Sequence, residues 1–316
     1  MLRLEHEWIW DSWMADDGLL YHLFFLKAPR ALADPGLRHV AATVGHATSS
    51  DLVEWTYLGE AFGAGTADWD DLAVWTGSVI RDDDGLWRMF YTAVNSQGRG
   101  VKDQRLGVAV SEDLHTWRRV GEGPVIRPDP RWYKTLAEFP EASETWRDPT
   151  VVRDPGGDGW HLFVTARAVG AAPNDDGVIA HARSHDLVTW ELGPPACEPG
   201  HGFGQLEVLQ PRVVDGAPVV AFTCHPQEMT PQRIAADGDY STWSAPGETL
   251  VGPWDMGRAE PFRAVPRLFA APLVRDRAGR WVFVGFLNQE PEGIHSFEII
   301  DPVPVRIGPN GTLVEA

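Results

Sequence analysis

The chain has 316 residues, 43% of them hydrophobic and 23% charged, so it is long and apolar enough to fold around a sizeable core. Its formal net charge of −18 argues against nucleic acid or an anionic membrane as a partner, because both need a basic surface. Two cysteines are too few for a disulfide framework, and the N-terminal segment has no apolar core of signal-peptide length, so we expect a cytoplasmic protein.

Five segments along the chain share one pattern, in which a glycine is followed by an apolar, aromatic-rich stretch. An Asp-Gly turn between two extended runs, as in Asp16-Asp17-Gly18, favours a β-hairpin. Each segment therefore predicts the second strand of a hairpin. In chain order the segments are Gly18–Leu26, Gly85–Ala93, Gly159–Ala166, Gly216–Cys224 and Gly279–Phe286.

A second motif, Ser-x-Asp-Leu-x-x-Trp, follows the hairpins. Its copies are Ser49–Trp55, Ser111–Trp117 and Ser184–Trp190, with a decayed copy at Asp239–Trp243. Serine and aspartate favour tight turns, so the motif predicts a turn between a third and a fourth strand. Five such four-stranded units predict an all-β protein, a five-bladed β-propeller that forms a single domain over residues 1–316. A β-sandwich with many hairpins is the alternative, but it does not explain five repeats of one pattern.

Carboxylates occur in three of the five segments that precede the hairpin glycines. They are Asp11 in the first unit, Asp148 in the third and Glu207 in the fourth. The first strand of each blade lines the channel of a propeller, so equivalent positions converge on one axis. Clustered carboxylates repel one another and at least one of their pKa values should be raised, which is typical of a catalytic site. No spacing indicates zinc or calcium, so we expect no metal and no cofactor.

Around these acids the sequence resembles the furanosidase propellers of glycoside hydrolase families 32 and 68, and more distantly those of family 43. The resemblance covers the whole predicted propeller. Family 32 usually carries Asn-Asp-Pro-Asn-Gly at its nucleophile and a C-terminal β-sandwich; this chain has a different nucleophile segment, and we expect no sandwich. The motifs, in order, are Trp10-Asp11-Ser12-Trp13, Trp75-Thr76-Gly77-Ser78, Phe90-Tyr91-Thr92, Arg147-Asp148-Pro149 and Glu207.

The resemblance implies a retaining enzyme that acts on a small carbohydrate, a β-fructofuranoside such as sucrose or a fructo-oligosaccharide. Asp11 would attack the anomeric carbon, and Glu207 would serve as acid and then base. Asp148 would accept hydrogen bonds from ring hydroxyls. Hydrolysis and transfer to another sugar both remain open. The residues implied to bind the substrate are Trp10, Trp75, Ser78 and Arg147.

Three alternatives stay open on the sequence. The first is an inverting, family 43-like α-L-arabinofuranosidase or β-xylosidase on the same scaffold, with a wider carboxyl separation. The second is a phosphorylase, which needs a basic cluster such as Arg258, Arg263 and Arg267. The third is a propeller that binds sugar without catalysis, which has no need for three convergent acids.

Overall fold

The architecture comes from a computed structural model that describes residues 1–97, 100–137, 144–288 and 297–316. Its strands form antiparallel sheets, and the first strands of the first four blades contact one another in chain order along a central channel. The predicted all-β, five-bladed β-propeller is confirmed. The assignment of residues 1–316 to one domain stays a prediction.

The first four blades each contain four consecutive antiparallel strands. Blade 1 contains β1 (Glu7–Asp16), β2 (Tyr21–Pro29), β3 (Thr43–Ser49) and β4 (Thr56–Phe62). Blade 2 contains β5 (Ala73–Arg81), β6 (Trp87–Val94), β7 (Gln104–Ser111) and β8 (Arg118–Val120). Blade 3 contains β9 (Arg147–Arg153), β10 (Trp160–Arg167), β11 (Gly177–Ser184) and β12 (Glu191–Leu192). Blade 4 contains β13 (Glu207–Val214), β14 (Ala217–Thr223), β15 (Thr242–Pro246) and β16 (Glu260–Pro261).

Blade 5 is built from shorter strands. They are β17 (Leu268–Phe269), β18 (Leu273–Arg275), β19 (Trp281–Phe283), β20 (Phe286–Leu287), β21 (Val303–Ile307) and β22 (Leu313–Glu315). The helices of the described residues are α1 (Pro231–Asp237) and 3₁₀ turns at Arg30–Leu32, Pro35–Val40, Gly100–Lys102, Pro226–Glu228 and Met256–Arg258. Within the same ranges, no helix has the length and apolar character needed to cross a membrane.

Blades 1 and 5 meet where the ring closes. Leu2 and Ile299 form a backbone bridge in which each amide donates to the other's carbonyl at 2.9 Å. The Tyr21 hydroxyl of blade 1 donates to the carbonyl of Arg275 in blade 5, also at 2.9 Å. The N-terminal segment is therefore fixed to the last blade, which holds the first strand of blade 1 against the channel.

The glycine-led segments predicted from the sequence are second strands, and each contributes a fully buried phenylalanine. Burial of one such ring contributes about 1.5–3 kcal/mol to folding, so the aromatic repeat is the packing repeat of the propeller. The buried rings are Phe24, Phe90, Phe163, Phe222 and Phe283.

The first strands of blades 1 to 4 each contain a register shift close to their channel entrance. The shifts lie between Ile9 and Ser12, between Trp75 and Gly77, beside Arg147, and between Glu207 and Gln210. A bulge bends its strand and re-aims the side chains at the extra residue. All three predicted catalytic acids lie at or next to these bulges.

The Ser-x-Asp-Leu motif forms the predicted turn. In blade 2 the hydroxyl of Ser111 accepts hydrogen bonds from the amides of Asp113 and Leu114, at 3.2 and 2.9 Å. The Asp113 carboxylate accepts two further amides at 2.8 Å. Leu114 adopts a left-handed φ of +65° and is buried. The side chains therefore satisfy backbone donors that the turn leaves outside the sheet.

We expect Ser111→Ala to lower the free energy of unfolding by about 1–2 kcal/mol, because the amides of Asp113 and Leu114 lose their acceptor and the Leu114 amide is buried. Urea denaturation measures the change. The matched control is Glu112→Ala in the same turn, since Glu112 is exposed. Equal stability of the two variants would show that the serine does not stabilise the turn.

Candidate active site

The bulged ends of the first strands surround a cavity of about 510 Å³ at one end of the channel. Asp11 of β1, Asp148 of β9 and Glu207 of β13 all line it. The structure thus brings together the three acids that the repeat positions predict to converge.

Arg147 links two of the acids. Its guanidinium forms an ion pair with Glu207 through Nη2, and its Nε lies 3.6 Å from Oδ2 of Asp148. The Arg147 side chain is only 11% exposed, so this positive charge acts in a region with little water. It offsets part of the repulsion among the acids and fixes the orientation of Glu207.

Asp148 lies in a strained and buried position. Its φ of +57° is in the left-handed region, which a non-glycine residue rarely adopts. Its amide donates to the Thr92 hydroxyl at 2.8 Å, and its carboxylate accepts from the Thr165 hydroxyl at 3.3 Å. Burial raises the pKa of Asp148 well above its ordinary value, although the Arg147 guanidinium opposes the rise. These contacts hold the carboxyl group toward the cavity against the local strain.

Asp11 has a hydroxyl partner that the sequence analysis did not single out. Thr76, the extra residue of the bulge in β5, donates from its hydroxyl to Oδ2 of Asp11 at 2.8 Å. Burial raises the pKa of Asp11 to about 6, while the Thr76 hydrogen bond opposes the rise and the charge of Glu207 adds to it. The Asp11 carboxyl can therefore change charge close to neutral pH.

Aromatic side chains form one wall of the cavity. Trp10 and Trp75, both predicted to bind substrate, line it on either side of His39. The indole N–H of Trp75 donates to the His39 carbonyl at 2.8 Å, and the Arg38 guanidinium lies 5.5 Å from the centre of the Trp10 ring. Flat rings of this kind suit the apolar faces of a sugar.

Ser78 corrects the sequence-based expectation, since it does not line this cavity. The bulge at Thr76 shifts the alternation of β5, so Thr76 and not Ser78 lies beside Asp11. The Ser78 hydroxyl instead accepts the amide of Val151 at 3.3 Å and borders a separate space of about 50 Å³ further along the channel. The predicted role of Ser78 in the sugar pocket does not agree with this placement.

Further lining residues come from segments outside the repeat pattern. Arg38 and His39 lie on the 3₁₀ turn Pro35–Val40, and His225 and Glu228 lie at the turn that follows β14. Burial raises the pKa of Glu228, and the charge of Glu207 adds to this effect. The sequence could have indicated Thr76, because it belongs to the Trp75-Thr76-Gly77-Ser78 motif. The residues on the two turns lie outside the repeats, so no sequence pattern indicates them.

The basic cluster considered for phosphate does not reach the cavity. Arg258 donates to the Asn310 carbonyl, Arg263 to the Asp237 carbonyl and Arg267 to Asp239, and none of the three lines the cavity. This placement removes the support for a phosphorylase. Among the described residues, no group of three or more His, Cys, Asp or Glu side chains is arranged to hold a metal ion.

The fold and the site together define a five-bladed β-propeller with three acids at one end of its channel. The N-terminal domain of glycosyl hydrolases family 32 is matched by residues 12–171, about half of the chain. The chain belongs to this family.

Comparisons with individual proteins agree with this assignment. The chain is 29% identical to β-fructofuranosidase 1 of Zea mays over 222 residues, which is 66% of this chain and 29% of that protein. The match spans about a third or less of the curated relatives' own length. An inulosucrase from Halalkalicoccus jeotgali bound to kestose superimposes with a TM-score of 0.78 at 21% identity, covering 97% of this chain and 86% of that one. Bacillus subtilis levansucrase gives 0.73 at 15% identity, covering 98% and 86%. These two structures share the fold.

We expect Asp11→Asn to stabilise the protein at pH 8 by about 3 kcal/mol and to have little effect at pH 4. A folded-state pKa of about 6, above the ordinary 3.8, means that ionised Asp11 costs stability, and this cost builds up as pH rises from about 4 to 6. Urea unfolding at both pH values measures it. The control is Asp68→Asn at an exposed site, which should show no such difference. Equal effects of Asp11→Asn on stability at both pH values would show that the pKa of Asp11 is not raised in the folded protein.

Proposed function

We propose that the chain is a retaining hydrolase or transglycosylase of β-fructofuranosides that works through a covalent fructosyl-enzyme. The observation that carries the proposal is that Asp11, Asp148 and Glu207 line one cavity, in which Arg147 links Asp148 and Glu207. Relatives named β-fructofuranosidase, levanase and levansucrase support fructosides as the substrate class. The structural neighbour bound to kestose supports a small fructo-oligosaccharide as the ligand.

In the first step the Asp11 carboxylate attacks the anomeric carbon of the fructosyl unit. The bond to the leaving oxygen breaks, and Glu207 gives that oxygen a proton. In the second step Glu207 takes a proton from water or from a sugar hydroxyl, which attacks the same carbon and releases Asp11. Water as the acceptor gives hydrolysis, and a sugar hydroxyl gives transfer.

Asp148 and Arg147 support these steps without forming a bond to the sugar. The Asp148 carboxyl group hydrogen-bonds ring hydroxyls, and these bonds strengthen as the ring gains positive charge in the transition state. Arg147 is a positioning residue, because its ion pair with Glu207 sets the direction of the acid/base group. The strained φ of Asp148 indicates that its orientation matters for function.

The strongest test replaces the two reacting groups. We expect Asp11→Ala and Glu207→Ala each to lower kcat on sucrose, kestose, inulin or levan fragments by at least about 1,000-fold, since each removes a group that acts on the reacting bond. Thermal unfolding checks that the variants are folded. Ser78→Ala is the control and should leave KM nearly unchanged, because Ser78 lies outside the cavity.

Product stereochemistry separates the proposal from its competitors. NMR of the first-formed sugar should show the anomer of the substrate, as the double displacement requires. Inversion, with turnover of nitrophenyl arabinosides or xylosides, would favour the family 43-like alternative. Binding of fructosides without turnover would favour a sugar-binding propeller. Substantial activity in Asp11→Ala would overturn the assignment of the nucleophile.

We expect kcat/KM to fall on the acid side of its pH profile with an apparent pKa near 6, because Asp11 attacks only as a carboxylate. This part of the profile is called the acid limb. Thr76→Val removes a hydrogen bond that favours the carboxylate, so the pKa of Asp11 rises and the limb moves upward by about one pH unit. Thr76→Ser keeps the hydroxyl and should restore the wild-type profile. An unchanged or lowered limb in Thr76→Val would show that Thr76 does not tune Asp11.

A further inference from the structure

The end of the channel opposite the acids carries a cation without a carboxylate partner. Arg212 lies on β13 five residues beyond Glu207, which places it roughly 15 Å further along the channel at about 3.3 Å per residue. Its side chain borders the small mid-channel space of about 50 Å³. It also borders a larger cavity of about 230 Å³, here called the lower-channel cavity, which Asp16, Tyr21, Arg275 and Trp281 line as well.

Arg212 makes hydrogen bonds only to neutral acceptors. Its Nε donates to the Leu273 carbonyl at 3.1 Å, its Nη1 to the Pro211 carbonyl at 2.8 Å and its Nη2 to Oε1 of Gln210 at 3.3 Å. Burial lowers the pKa of Arg212 to about 10, and within the described ranges no carboxylate charge opposes this shift. A partly buried charge without a counterion is costly, and the guanidinium has more N–H groups than these bonds use.

A second cation borders the same cavity. Arg275 is exposed, and its guanidinium lies 4.8 Å from the centre of the Trp281 ring. The nearby carboxylates are occupied by other arginines. Asp16 accepts two hydrogen bonds from Arg277, at 2.7 and 3.0 Å.

Asp276 is likewise occupied, because it accepts the Arg280 side chain at 2.7 Å. Of the charges that border the lower-channel cavity, Arg212 and Arg275 therefore have no carboxylate partner within the described ranges. This local excess of positive charge stands out in a chain whose net charge is −18.

We propose that the lower-channel cavity binds a small oxyanion of the phosphate type between Arg212 and Arg275. The N–H groups that Arg212 has left over from its three hydrogen bonds, together with the guanidinium fork of Arg275, can donate to phosphate oxygens. The Trp281 ring and the Tyr21 side chain close the sides of the site. Inorganic phosphate and the phosphoryl group of a sugar phosphate share this chemistry. The site lies apart from the catalytic cavity and does not depend on the proposed function.

The test follows thermal unfolding of the full chain in sodium phosphate against sodium chloride at equal ionic strength. A ligand that binds only the folded state raises Tm, and we expect a rise of about 2 °C or more in tens of millimolar phosphate. Arg275→Gln should lose at least half of this rise. The matched control is Arg306→Gln, which removes an exposed charge elsewhere in blade 5 and should keep the full rise.

The proposal is overturned if phosphate does not raise the Tm of the wild type, or if it raises the Tm of Arg275→Gln and of Arg306→Gln equally. Arg212→Met should abolish the rise; if that variant does not fold, the comparison of the two exposed variants decides. Phosphate should also leave KM for a fructoside unchanged. An increase in KM together with an undiminished rise in Arg275→Gln would locate the anion in the catalytic cavity and overturn the proposal.

Two further arms identify the source of the oxyanion. If fructose 6-phosphate raises Tm at a lower concentration than inorganic phosphate does, and Arg275→Gln loses this rise as well, the natural ligand is a sugar phosphate. Equal or weaker action of the sugar phosphate supports inorganic phosphate.

Discussion

The mutual repulsion of three carboxyl groups in one water-poor cavity is the constraint on which the rest of this site depends. Arg147 is the principal offset, because it pairs with Glu207 and lies 3.6 Å from Asp148. Its single charge does not balance the three acids, and burial still raises the pKa of Asp11 and of Asp148. The surrounding propeller supplies the free energy that holds this arrangement together, mainly through buried aromatic rings between its blades.

The backbone at the channel entrance carries a second cost. Asp148, Val208 and Ala270 all adopt left-handed φ values, of +57°, +51° and +44°, and they lie at comparable points of blades 3, 4 and 5. Bulges and left-handed residues at these points turn the strand ends so that side chains meet over the axis. Strain and charge repulsion are thus concentrated in the same small region, as is common where a fold serves chemistry.

The two ends of the channel differ in their electrostatic character. The larger cavity contains the three convergent acids, and the opposite end has Arg212 and Arg275, to which we assign an oxyanion. β13 connects the ends directly, since it carries Glu207 at its beginning and Arg212 near its end. A ligand at the lower end would therefore act mainly on the stability of blades 4 and 5, which Arg212 joins through the Leu273 carbonyl.

The sequence by itself determined the number of blades, because each of the five repeats contains the same glycine-led strand, and three of them also contain the full Ser-x-Asp-Leu turn. It also located Asp11, Asp148 and Glu207, since equivalent positions of a closed ring must converge. Only the tertiary structure decided which neighbours complete the site. Because of the bulge in β5, Thr76 and not Ser78 lies beside Asp11. The turns that carry His39 and Glu228 line the cavity because segments distant in the chain pack together there. Repeats encode local strand geometry, whereas bulge positions and loop placement depend on packing between blades, which no single repeat specifies.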